Sequence, residues 1–409
     1  VSLPSRYAPD SCPGALRIHA AADGGLARVR LPGGRLAAPG CAVLADAAAD
    51  LGDGHLELTS RGNVQLRGLA PGAEGELGRR LRAAGLLPSD THELARNITA
   101  SVLTGRAGDG VLDVRPLVAG LDRGLCADPE LAGLPGRFLF TIDDGRGDVV
   151  ALRGDVGLYA LDAASLAVTL GGADTGLRVA PEAAVPAVLA VARAFMRART
   201  TEWRLTEWDD PGERLAPWLP GLGVGPRVEQ SAARRALPGT PAKPPVGAVA
   251  QRDGRWALSA LVPLGRLTPA QLSRLRGAEE IIITPWRSVV VPDLTDMPDS
   301  YGLVTRPGSG WEGLSSCAGR PGCARSLTDV RADCARTLDG AAEPARPELP
   351  VHWSGCERRC GSPPGRHVAV VATQDGYEVR LEERVRDRSR SLPATAAAIA
   401  RTREEQVNE

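Results

Sequence analysis

Three features of this chain predict an α+β fold assembled from a duplicated module. A strand–helix–strand pattern occurs twice at large separation, a stretch dense in Pro and Gly (residues 206–245) divides the copies, and four cysteines stand in two pairs near the C-terminal end. In the first copy, residues 26–31 read as an apolar strand, a loop with Gly and Arg follows, and 41–51 carry the spacing of a helix. The second copy places a strand at 256–262 and a helix at 268–275. Each unit is closed by a run rich in Leu or β-branched residues, 56–69 and 281–294, which fall in register with one another and each read as one strand. A repeat at this separation indicates duplicated domains and not a small-period solenoid.

Between the copies, a Ser/Asp/Thr cluster opens a helix expected over 89–102, followed by less regular apolar stretches at 114–121 and 125–131. Strands are expected at 138–143 and 149–159 around an Asp143-Asp-Gly-Arg-Gly147 turn, with 166–170 continuing the sheet and 182–200 forming a helix. The Gly-rich stretch 171–176 reads as a turn, with cradling of a carboxylate as a second reading. Beyond the second copy, 323–338 read as a helix, 341–350 as a Pro-rich connection, 368–373 and 376–381 as a hairpin, and the Arg/Glu-rich tail from 383 as a solvated helix running into disorder.

At 409 residues the chain is long enough for more than one core. Lys+Arg 49 against Asp+Glu 49 leaves no net charge, which argues against a general nucleic-acid binder. Lys243 is the only lysine, so any anion-binding pocket would be lined by arginine forks and not by ammonium point charges. No apolar run is long enough to span a bilayer. The start, Val-Ser-Leu-Pro, does not read as a leader, so a cytoplasmic protein acting as a monomer is the expectation.

The cysteine pairs carry the most chemistry. Cys317 and Cys323 are spaced C-x5-C, and Cys356 and Cys360 C-x3-C. Four thiolates so arranged can surround one iron–sulfur cube, with neighbouring glycines aiming N–H groups at the cluster and Arg358 and Arg359 offsetting its charge. Zinc is the alternative, although its knuckles usually space a pair by fewer residues than C-x5-C. Disulfides are the third reading. Cys12, Cys41, Cys126 and Cys334 read as buried small apolar residues, Cys334 with some chance of replacing a ligand because it lies between the pairs. His352, near the second pair, is the one histidine to watch as an iron ligand or proton donor.

A second signal lies in 56–69. Alternation puts Arg61, Asn63, Gln65 and Arg67 on one face, and as one strand Arg61 to Arg67 would span about 20 Å, the size of a flat ligand bearing several carboxylates. An ordinary half-exposed sheet is the other reading. In the second copy Trp286 replaces Arg61 and valine replaces Gln65, leaving Arg287 as the residual cation. Arg96-Asn97 and Arg137 are further candidates.

These motifs together resemble the sulfite and nitrite reductases that couple a [4Fe–4S] cluster to sirohaem. The family's C-x5-C and C-x3-C match Cys317, Cys323, Cys356 and Cys360, its Thr-x-Arg-x-x-x-Gln matches Thr59, Arg61 and Gln65, and its Arg-Asn matches Arg96-Asn97. The resemblance covers nearly the whole chain. It implies duplicated ferredoxin-like half domains alternating with two larger α+β cluster/tetrapyrrole modules in a pseudo-two-fold arrangement. The corresponding divisions are 1–77, 78–205, a linker at 206–245, 246–300 and 301–409. It also implies that Cys360 bridges towards the tetrapyrrole and that Arg61, Arg67, Arg96 and Arg137 hold its carboxylates.

One departure bears on the reaction. Sulfite reductases carry a basic Arg-Lys-Phe-Lys-like run at their anion site, whereas this chain reads Gly136-Arg137-Phe138-Leu139. Together with Cys12-Pro-Gly, the turn at 31–34 and Thr284-Pro-Trp-Arg287, this resembles the branch serving aerobic cobalamin biosynthesis. That branch implies a monooxygenase that hydroxylates precorrin-3A at C20 with O2 and closes the ring A acetate as a γ-lactone. It further implies a mononuclear non-haem iron, for which the sequence shows no 2-His-1-carboxylate set. Sirohaem would be the cofactor under the alternative, a sulfite or nitrite reductase. Electrons would come from a separate donor, an NADH-linked reductase or ferredoxin, because no dinucleotide fingerprint is present.

Overall fold

The computed structural model describes residues 10, 12–218, 233–240, 243–296, 300–338, 349–363 and 365–404. Part of the predicted linker, most of the 341–350 connection and the end of the tail lie outside these residues. Among the described residues no helix is long and apolar enough to cross a membrane.

The first half domain runs β1 (His19–Ala21), β2 (Gly24–Val29), β3 (Arg35–Ala37), α1 (Ala38–Leu51), β4 (Leu56–Leu58), β5 (Val64–Leu69) and α2 (Ala73–Ala83). The first larger module follows: β6 (Ile98–Ala100), α3 (Arg115–Ala127), β7 (Phe140–Asp143), β8 (Val156–Ala160), β9 (Leu166–Leu170), β10 (Ala173–Val179) and α4 (Pro181–Ala198), with the short α5 (Pro211–Leu215) packed behind it. The second half domain is β11 (Gly247–Ala250), β12 (Trp256–Leu261), β13 (Arg266–Leu267), α6 (Pro269–Leu275), β14 (Glu280–Ile283) and β15 (Ser288–Leu294). The second module is β16 (Leu314–Ser316), α7 (Val330–Leu338), β17 (Val351–Ser354), β18 (Val368–Thr373), β19 (Gly376–Leu381), β20 (Arg384–Ser389) and α8 (Leu392–Glu404).

The predicted α+β class and its duplicated ferredoxin-like units are present, and the copies are interlocked. The half-domain sheets are ordered β1-β2-β5-β4-β13 and β11-β12-β15-β14-β3. Each half therefore lends its short third strand to the other's edge, Arg266 opposite Glu57 and Arg35 opposite Ile282. Both edges are covered by this exchange, and the apolar faces of the two halves form one continuous core containing Leu36, Leu44, Leu66, Leu258, Leu272 and Val291. Helix α6 starts on a full capping box, Thr268 with Gln271, worth about 1 kcal/mol.

The runs 56–69 and 281–294 are hairpins and not single strands. Leu58 faces Val64 and Ile283 faces Val289, so the fold turns back at the same place in both copies. The cause is local: Thr59 Oγ1 accepts the N–H groups of Arg61 and Asn63 at 3.4 and 3.1 Å, and Thr284 Oγ1 those of Trp286 and Ser288, both at 3.2 Å. Gly62 and Arg287 occupy the same left-handed position, φ 68° and 57°. Arg61 consequently sits at a hairpin tip, not at one end of a 20 Å row.

The larger modules are copies too. Sheet order is β6-β7-β8-β9-β10 in one and β16-β17-β18-β19-β20 in the other, the first three strands parallel and the last pairs antiparallel. The expected 89–102 helix does not form. Its polar residues are consumed one by one elsewhere: Glu93 by the N–H groups of Ala15 and Leu16, His92 by Asp128 O, Arg96 by Asp122. Tertiary partners outweigh helix propensity here, and 98–100 joins the sheet as β6. The helix lies later, where Leu117, Val118, Leu121 and Leu125 line the buried face of α3. Residues 149–152 turn because the Asp143 carboxylate captures the N–H groups of Val149 and Val150, both at 2.9 Å. The Gly-rich 171–176 stretch is the β9–β10 hairpin, with Asp174 paired to Arg178. Helix α7 begins only at Val330, and the tail contributes a fifth strand before its expected helix, α8, which buries Thr395, Ala398 and Thr402 instead of standing in solvent.

Candidate functional site

Cys317 follows β16 and Cys356 follows β17, parallel neighbours, so both loops leave the same end of the sheet. Cys317 N–H is held by Trp353 O at 2.9 Å, and Gly355 N–H donates to Cys317 Sγ at 3.2 Å. A Cβ on residue 355 would stand 1.8 Å from Ser326 Oγ, so only glycine lets the two loops approach this closely. The Cys323 arm is tied back by Arg320 N–H to Thr328 O and by Leu327 N–H to Gly355 O, at 3.0 and 2.8 Å. His352 is fully buried between Ser315 Oγ, 2.8 Å from Nδ1, and Cys360 O, 3.1 Å from Nε2. Burial pushes it down to about 4, so it is a neutral brace for the Cys360 loop and not a proton donor at neutral pH.

All eight cysteines are free thiols. Burial pushes the Cys360 thiol up, with the Arg358 charge acting in the opposite direction. Arg359 instead turns to Glu383 at 3.1 Å. Among the described residues the one group of three or more potential ligands within 4.8 Å is Asp143, Asp144 and Asp148. Cys334 is buried within α7, and burial pushes its thiol up to about 12.

The aspartate group occupies the same place in the first module that the cysteines occupy in the second. Ser101 N–H bonds Ile142 O and Ser101 Oγ accepts Asp144 N–H, as Cys317 does with Trp353 O and Gly355 N–H. Its oxygens are already spent: Asp143 accepts four backbone N–H groups, Asp144 pairs with Arg146, and Asp148 takes Ser101 Oγ–H and Val102 N–H. Burial, then repulsion from Asp143, raises Asp148 to about 7. A folded-state value above the unfolded one means the native protein holds the extra proton, so stability should fall as pH rises from about 4 towards about 7. Thermal melts of wild type and Asp148→Asn across that window should show this slope flattened in the variant; an unchanged slope assigns it elsewhere.

The predicted cations part company. Arg67 is committed to Asp23 at 2.9 Å and to Gly322 O at 2.7 Å, docking the first half domain on the Cys317–Cys323 loop. Arg96 is buried in a forked pair with Asp122, at 2.7 and 3.0 Å. Asn63 and Asn97 form a clasp, Asn63 Nδ2 to Asn97 Oδ1 at 3.0 Å and Asn97 Nδ2 to Phe138 O at 3.1 Å, that fixes the Arg61 hairpin against the first module. Gln65 Oε1 accepts both Nε and Nη2 of Arg28. Arg61 retains only a 3.4 Å contact with Gly136 O, and burial drives it down to about 10. Arg137 lies over the Trp203 ring at 4.7 Å. Arg287 is half-buried beside the Cys360 loop, its Nη2 3.5 Å from where a Gly361 Cβ would stand, with no ion-pair partner among the described residues.

Sequence reasoning missed Arg28 and Arg30. Arg30 is 3% exposed and its Nε and Nη2 have no hydrogen-bond partner. The signal was available: two arginines at strand spacing, just before Leu31-Pro-Gly-Gly, share a face.

Comparison with known proteins agrees with this architecture. Residues 19–84 match the Nitrite/Sulfite reductase ferredoxin-like half domain family. A precorrin-3B synthase from Sinorhizobium sp is 26% identical, the alignment covering 90% of this chain and 81% of that protein. A ferredoxin–nitrite reductase from Synechococcus elongatus is 29% identical over 88% of this chain and 78% of that protein. The solved structure of the Mycobacterium tuberculosis NirA protein superposes with a TM-score of 0.68 at 20% identity, covering 89% of this chain and 77% of that one. The match is at the level of the nitrite/sulfite reductase ferredoxin-like fold family.

Proposed function

We propose that this chain, an oxidoreductase by its match to that fold family, holds a [4Fe–4S] cluster on Cys317, Cys323, Cys356 and Cys360 and binds a tetrapyrrole through cations around Arg61. The donor set supports the cluster: four free thiols on loops at one sheet end, one of them already receiving a backbone N–H. Such a cluster supplies electrons one at a time. The chain's own part is to fix the loops, offer arginine forks to carboxylates and keep water out. Arg61, Arg137 and Arg287 are the predicted contacts without a carboxylate partner among the described residues; Arg67 and Arg96 act at one remove, through the scaffold.

In finer detail the proposal is precorrin-3B synthase, which hydroxylates precorrin-3A at C20 with O2 and forms the ring A lactone, electrons arriving from a separate donor. The observation that carries it is Leu139. It is 4% exposed, with its N–H on Asp155, so the position that is basic in sulfite reductases is apolar and turned into the protein. Six-electron reduction of a small oxyanion calls for repeated proton delivery, and the neighbouring Arg137 lies on Trp203. A ferredoxin-dependent nitrite or sulfite reductase with sirohaem is the second reading, and the comparisons on their own favour it: the nitrite reductase is the more identical of the two relatives, 29% against 26%. Anaerobically purified protein separates the two. The synthase shows cluster absorption without a haem-type Soret band and converts precorrin-3A, with O2 and reductant, to a heavier lactone; a Soret band with viologen-linked consumption of sulfite or nitrite establishes the reductase instead.

A further inference from the structure

Two serine hydroxyls beside the cysteine loops, Ser316 Oγ and Ser354 Oγ, are buried without a hydrogen-bond partner. Ser354 is 1% exposed and ends β17, immediately before Gly355, whose N–H donates to Cys317 Sγ at 3.2 Å. Burying a hydroxyl with nothing to donate to is unfavourable, so Ser354 calls for an acceptor. Strand geometry fixes the side on which that acceptor lies. Alternation puts Ser354 on the same face of the sheet as His352, and the parallel register adds Ser315, which stands opposite His352. Ser315 Oγ lies 2.8 Å from His352 Nδ1, and His352 Nε2 lies 3.1 Å from Cys360 O. The Cys360 loop therefore crosses this face. Ser354 is two residues nearer the end of β17 where the ligand loops leave, and unlike Ser315 and His352 its polar atom is unmet. Ser316 is paired with Trp353 on the opposite face, against the apolar core of the module.

We propose that Ser354 is a positioning residue whose hydroxyl donates a hydrogen bond to sulfur of the cluster assembly, a cysteine thiolate or a sulfide of the cube, and so raises the cluster's reduction potential. This deepens the proposed function and rests on its cluster reading. The sign follows from charge: an added electron makes the sulfurs more negative, so a donor stabilises the reduced state more than the oxidised one. Gly355 N–H is the main-chain counterpart, already placed on Cys317 Sγ. Ser354 adds a side-chain donor one residue earlier, on the face that the Cys360 loop crosses.

The test is a redox titration of the anaerobically purified full-length protein, read by EPR of the reduced cluster, with cluster content measured by iron analysis and visible absorption. Ser354→Ala should keep its cluster and show a lower midpoint potential than wild type. Ser316→Ala, which removes the hydroxyl on the opposite face, should keep the wild-type potential. An unchanged potential in Ser354→Ala overturns the proposal and leaves the cluster reading standing, whatever the variant's melting temperature. An equal fall in both variants marks a general loosening of the loops and overturns it as well. If wild type holds no iron–sulfur cluster, the cluster reading fails and the proposal with it. Should Ser354→Ala hold too little cluster to titrate, Ser354→Thr and Ser354→Val take its place, a pair of the same shape that differs in the hydroxyl. A lower potential in the valine variant supports the donor, and equal potentials overturn it.

Discussion

Cys323→Ser is expected to abolish the iron–sulfur EPR signal and visible absorption on the proposed ligation, because a serine oxygen is a poor substitute for a thiolate that completes the set. The consequence reaches beyond spectroscopy. The Cys317–Cys323 loop carries Gly322 O, the acceptor for Arg67, and the loop after it carries Leu327, which bonds Gly355 O. Loss of the ligand set therefore loosens both the second module and its dock on the first half domain, since metal ligation and folding are coupled. Cys334→Ala in the same module supplies the control: that thiol is buried in α7 and the variant should keep its cluster. A [4Fe–4S] EPR signal of wild-type intensity in Cys323→Ser would refute the assignment.

The second large effect is on stability. Trp353 is fully buried in the core of the second module, 5.0 Å from Tyr377 at an interplanar angle of 76°, and Tyr377 OH donates to the buried Asp333. Trp353→Ala should cost about 3–5 kcal/mol through lost burial and the cavity left behind. The edge-to-face pair adds about 0.5–1.5 kcal/mol, part of which Trp353→Phe would retain. Because Trp353 O also holds Cys317 N–H, the destabilised strand is the one that positions this proposed cluster ligand. The chain has several cores, so one two-state transition is not expected. Denaturation followed by cluster absorbance and by far-UV circular dichroism should show the former shifting well before the latter. Coincident, unshifted curves would mean the second module does not depend on this side chain.

The duplication was legible because it is written in local chemistry. Thr59 and Thr284 lie at the same place in matched segments, and each organises a turn with its own hydroxyl. The same local chemistry was misread as strand continuation, since alternation alone cannot distinguish one long strand from two short ones joined at a threonine. The missing 89–102 helix and the strand of the tail have another cause. Their decisive partners, Ala15 for Glu93 and Tyr377 for Ser389, are distant in sequence or lie on another element.

The sequence by itself determined the α+β class, the internal repeat and the cysteine spacing, because hydrophobic periodicity, turn residues and ligand intervals are short-range properties. Tertiary structure alone decided which cations remain available. Arg61, Arg67 and Arg96 are identical as letters, yet Asp23 neutralises one, Asp122 another, and Arg61 finds only a carbonyl. The reason is that the state of a buried charge depends on what the fold brings against it, and for these three arginines the partners lie tens of residues away in sequence.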